Sequence, residues 1–118
     1  MSESDELFTA VNYIKHKVDA LERIELLNLR ANKTLLEEYK KALLSDNDLL
    51  TVYKLIDGEK SQKNISDVSG IIQMTVSRKI NILEEIGLIE IKNMNGKAKI
   101  YKHSVAEQAF KLTRLKYE

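Results

Sequence analysis

The stretch Ile65-Ser-Asp-Val-Ser-Gly-Ile-Ile-Gln-Met-Thr-Val-Ser-Arg-Lys-Ile80 reads as two short helices joined by a tight turn. Helices that cross at so short a connection need a small residue at the contact, which Ser66 supplies. The turn needs a residue that accepts positive φ, which is Gly70. On the second helix Val76, Ile80 and Leu83 recur at i, i+4 and i+7 and share one face, while Met74, Ser77, Arg78 and Asn81 fall opposite. Such a helix buries one side and leaves the other free to enter a groove.

Working outward, the second helix runs from Gln73 to Ile86 and stops at Gly87. Leu88-Ile-Glu-Ile91 favours a strand, Asn95-Gly96 is a strong hairpin signal, and Lys97-Ala-Lys-Ile-Tyr101 alternates as the return strand. Ser104-Val-Ala-Glu107 predicts a capping box opening a final helix that carries Val105, Ala109, Leu112 and Leu115. Towards the N-terminus, Ser45-Asp-Asn-Asp48 offers a cap for a helix bearing Leu49, Leu50, Val52, Tyr53 and Ile56, ended by Asp57-Gly58. Before it, Leu7, Val11, Ile14, Val18 and Leu21 alternate four- and three-residue steps, the spacing of a packing seam. The stripe then shifts to Ile24, Leu27, Ala31 and Leu35. A break is expected at Asn32-Lys33-Thr34, with Thr34-Leu-Leu-Glu37 as the capping box of a helix bearing Leu36, Tyr39, Leu43 and Leu44.

The order of Thr75-Val-Ser-Arg78, Leu83-Glu-Glu-Ile-Gly-Leu-Ile89 and a hairpin resembles the winged helix-turn-helix of transcriptional regulators, including the broad ArsR and MarR groups. The likeness covers roughly residues 46–103. It implies an α+β, mostly α fold with a winged helix over 46–103; outside the likeness, periodicity alone reads as an N-terminal helical packing or dimerisation segment over 1–45 and a C-terminal helix over 104–118. It also implies selective binding of double-stranded DNA, with the second helix in the major groove and the hairpin alongside it. A homodimer is expected, because one such module makes few base contacts.

The residues that this resemblance assigns to DNA are Gln73, Met74, Thr75, Ser77, Arg78 and Asn81 on the helix, and Lys92, Asn95, Lys97 and Lys99 on the hairpin. Arg78 suits a guanine edge or a phosphate, Thr75 and Ser77 suit phosphates, and the lysines suit the backbone or minor groove. Two positions depart from the pattern. Ile72 stands where a Ser or Thr cap is usual, and Met74 where a polar residue or proline is common. Both side chains fit thymine methyl groups, and equally a protein surface. Two other readings of the fold therefore stay open: a protein-interaction module, and a DNA-coating or partition-type protein with little sequence preference. Ile82 and Ile86 lie on a flank that is commonly wet in the related pattern, and Leu36, Tyr39 and Leu43 are expected to cover them.

Composition narrows the classes further. The chain has 118 residues and no Cys, so it has neither disulfides nor a thiolate metal site. His16 and His103 are far apart, and His103 reads as a junction residue. No cofactor is expected. Acidic pairs such as Glu37-Glu38 and Glu84-Glu85 have no companion nucleophile, and no phosphate loop is present, so no enzyme is expected. No apolar run is long enough to span a membrane, and the first residues are acidic, so a cytoplasmic protein is expected. Residues 1–57 carry 8 Lys/Arg against 11 Asp/Glu, whereas 58–103 carry 8 against 5, so the excess of positive charge coincides with the motif.

Overall fold

In the computed structural model, which describes residues 3–116, a long helix α1 (Glu3–Ala31) is separated from α2 (Lys33–Leu44) by the single residue Asn32. The break is where the sequence expected it, but the cap is a different residue. Asn32, not Thr34, accepts the hydrogen bond, its Oδ1 taking the N–H of Leu35 at 3.0 Å. An Asn side chain caps at least as well as Thr and stands two residues earlier, so the helix starts before Thr34 can act. Helix α3 (Asn47–Leu55) is capped by Asp46, which accepts from the N–H of Leu49. Helices α4 (Gln62–Ser69) and α5 (Gln73–Glu85) follow, then strands β1 (Ile89–Asn95) and β2 (Ala98–His103), and α6 (Val105–Phe110).

The strands pair antiparallel, and the two-residue turn between them is Gly96-Lys97, one residue beyond the expected Asn95-Gly96. Gly96 takes φ +64 at the first turn position, the arrangement of a turn whose twist matches that of the strands. Ile91 pairs with Tyr101 and Asn93 with Ile100, so Lys92 is the extra residue of a β-bulge. The bulge breaks simple alternation, and Ile100 and Tyr101 are both buried.

The core sits between α3, α4, α5 and the base of the hairpin. Tyr53, Val52, Leu50, Ile65, Val76, Ile80, Leu83 and Leu88 are its centre. Leu43 from α2, and Ala106 and Leu112 from the C-terminal segment, complete it. The mostly helical chain with one small antiparallel sheet agrees with the α+β expectation.

The C-terminal segment departs from expectation. No capping box forms at Ser104, because its N–H is taken by the carbonyl of Leu88 and Glu107 turns elsewhere. The Glu107 carboxylate accepts from the Tyr53 hydroxyl at 2.9 Å, and from the N–H and hydroxyl of Thr113. That clamp pulls the chain back, so α6 ends at Phe110. Lys111 adopts φ +52, and Leu112 is buried from a short 3₁₀ turn rather than from a continuing helix. Burial first, then the Glu107 charge, push the Tyr53 phenol above its ordinary pKa, which keeps its O–H a donor. His103 is indeed a junction residue, its Nε2 2.7 Å from the Tyr53 carbonyl.

The flank of α5 is half covered. Ile86 is partly buried against the core beside Leu36 and Tyr39, and the Tyr39 hydroxyl donates to the Ile86 carbonyl at 2.9 Å. Ile82 is 39% exposed, so the expectation fails there.

Two carboxylates fasten the frame. Asp57 accepts from the N–H groups of Glu59 and Lys60 and pairs with the Lys60 ammonium, and these bonds hold its pKa at about 2. For Asp46 burial raises the pKa, but hydrogen bonds from Lys79 and Leu49 outweigh it and the value is lowered. A depressed folded pKa means stability that is present above the unfolded value and lost as pH falls through the folded one. The thermal midpoint should therefore drop from about pH 4 towards about pH 2, and Asp57→Asn should flatten part of that drop. A variant that tracks the parent curve in that window rules Asp57 out as a contributor.

Candidate nucleic-acid interface

The candidate site begins at the entry to α4. Ser61 and Asn64 form a reciprocal cap: the Ser61 hydroxyl accepts from the Asn64 N–H, and Asn64 Oδ1 accepts from the Ser61 N–H. This fixes Gln62 and Lys63 on the first turn of α4. At the other end of α4, Gly70 takes φ +76, and the Ser66 hydroxyl donates to the Ile71 carbonyl at 2.6 Å. Ser66 thus ties the turn. Ile72 gives α5 no side-chain cap, as its chemistry requires.

From that turn α5 presents two faces. Val76, Ile80 and Leu83 have no exposure at all. Gln73, Met74, Arg78 and Asn81 are exposed, and Thr75 and Ser77 are half-exposed. Against the outer face stands β2, and between them lies a groove of about 430 Å³. Gln73, Ser77 and Asn81 line it from α5, Lys97 from the hairpin turn, Lys99 and Tyr101 from β2, and Ser61, Gln62 and Lys63 from the start of α4.

Five of the ten residues expected at the interface therefore share one groove: Gln73, Ser77, Asn81, Lys97 and Lys99. Met74, Thr75 and Arg78 are on the same helix but outside the groove. Asn95 is exposed at the end of β1. Lys92 is held elsewhere, because the bulge aims its ammonium at the Gly58 carbonyl, 3.1 Å away. Sequence reasoning missed Ser61, Gln62, Lys63 and Tyr101. The signal for the first three was the Ser61-x-x-Asn64 spacing, which starts α4 three residues before Ile65.

The charges around the groove are unevenly satisfied. Lys60, Lys79 and Lys102 pair with Asp57, Asp46 and Glu90. Among the described residues, no carboxylate lies within ion-pair distance of Lys63, Arg78, Lys97 or Lys99. Cations without an internal partner thus converge on the outer side of α5 and the hairpin. Val68, Ile72 and Met74, at the end of α4 and the entry to α5, are each more than 60% exposed.

Among the described residues no helix is long and apolar enough to cross a membrane. Comparison with protein-family models, with curated proteins and with solved structures finds no match to this chain.

Proposed function

We propose that the chain is a winged helix-turn-helix protein that binds double-stranded DNA selectively, as a homodimeric transcriptional regulator without catalytic activity. In this reading α3, α4 and α5 are the three-helix unit, the β1–β2 hairpin is the wing, and α5 enters the major groove. The observation that carries it is the groove in which polar residues of α5 face Lys63, Lys97 and Lys99, which have no carboxylate partner among the described residues. A major groove about 12 Å wide admits a helix with its side chains. Gln73, Ser77, Asn81 and Arg78 then meet base edges or phosphates, and the lysines meet the backbone on either side.

The decisive experiment is binding to duplex DNA from upstream of the protein's own gene, against random duplex of equal length. Arg78→Ala is expected to weaken selective binding by about 1–3 kcal/mol, with a smaller loss on random duplex. Salt-dependent binding that does not distinguish the two duplexes selects the coating or partition-type reading. The exposed Val68, Ile72 and Met74 support a protein-interaction module instead. Absence of salt-dependent binding to any duplex would leave that module as the better reading.

A further inference from the structure

The N-terminal half of α1 displays an apolar strip. Leu7, Val11, Ile14, Val18 and Leu21 are each 46–67% exposed, whereas Leu26 and Leu29 are partly buried where α1 packs on α6. The two contacts occupy successive stretches of the helix, residues 7–21 and 26–29, so one helix serves both without conflict. The strip has the register of a coiled coil. With Leu7, Ile14 and Leu21 at position d, Val11 and Val18 fall at a, and β-branched a residues with Leu-rich d residues favour two parallel strands. The next a and d positions are Glu25 and Asn28, so the seam stops as the packing on α6 begins.

Charge chooses the occupant and its direction. Lys17 falls at g and Glu22 at the e position of the following heptad. In a parallel, in-register pair of identical helices, each Lys17 faces Glu22 of the second copy. An antiparallel pair that keeps Leu21 inside sets Lys15 against Lys15 and Lys17 against Lys17 instead. We infer that the occupant is a second copy of this chain, joined through a parallel two-stranded coil over residues 4–24. This rests on the dimeric part of the proposed function and adds its geometry. Both folded bodies then hang from the same end of the coil, and the two-fold axis runs along it. That two-fold is the symmetry a palindromic duplex would match.

The test needs no DNA, so it stands apart from the question of DNA binding. Sedimentation equilibrium of the full chain should show a dimer at micromolar concentration. Ile14→Lys, which sets two charges against each other in the seam, should raise the dimer dissociation constant by roughly 100-fold or more while the helical spectrum of the folded body persists. Lys17→Glu should raise it roughly tenfold, and adding Glu22→Lys should restore it. The chain has no Cys, so Leu7→Cys reports direction: a parallel pair brings the two thiols together and oxidation gives a covalent dimer. A monomer at tens of micromolar overturns the inference. So does a dimer in which Leu7→Cys fails to cross-link, or one in which the charge swap gives no rescue.

Discussion

Ile80→Ala is expected to lower the unfolding free energy by about 2–5 kcal/mol. Ile80 has no exposed surface and lies in the middle of α5, between Val76 and Leu83, where the helix packs on α3 and α4. Truncation removes three carbons from the centre of the core and leaves a cavity that the flanking helices close only in part. A domain of this size has about 5–15 kcal/mol in all, so the loss is a large fraction of what holds the fold. The neighbouring Asn81 is exposed, and Asn81→Ala should change stability by less than about 0.5 kcal/mol. Urea titration followed by helical circular dichroism reads both, with the slope unchanged and only the midpoint moving for Ile80→Ala. Equal small shifts in the two variants would mean that α5 does not bury this face.

That contrast between adjacent residues also marks what was legible in the sequence. Periodicity is a direct record of burial, so the spacing of Val76, Ile80 and Leu83 located the inner face of α5 without a structure. Local chemistry located two breaks as well, since Gly70 closes α4 and the region of Asn32 separates α1 from α2, whereas α3 ends at Leu55, two residues before the expected Asp57-Gly58. Whatever depended on a contact between distant residues was not legible. Glu107 has the spacing of a capping-box residue, but Tyr53, 54 positions away, and Thr113 claim its carboxylate. Lys92 looks like a free wing lysine until the bulge turns it onto Gly58. Nothing in the local sequence marks Lys63 as a groove residue, because only the fold brings the start of α4 opposite β2.

Lys63, Lys97 and Lys99 together form the basis of the last expected result. All three line one groove, all are exposed, and among the described residues no carboxylate lies within ion-pair distance of any of them, so removing them should leave the fold intact. If each meets one phosphate, each contributes about 0.9 to the slope of log affinity against log salt. A variant with all three changed to Ala should then show a slope shallower by about 2.7 per protomer, and at 0.1 M salt an affinity lower on the order of 100- to 500-fold per protomer. The loss should be the same on selected and random duplex, because phosphate contacts position a protein without reading sequence. Arg78→Ala behaves differently if it touches a base, since its loss is concentrated on the selected duplex. Fluorescence anisotropy over a salt series separates the two patterns, and unfolding midpoints of the same variants check that the fold is unchanged. An unaltered salt slope in the triple variant, with its folding preserved, would remove the groove from the DNA interface and leave the outer strip of Met74 and Arg78 as the surface to test.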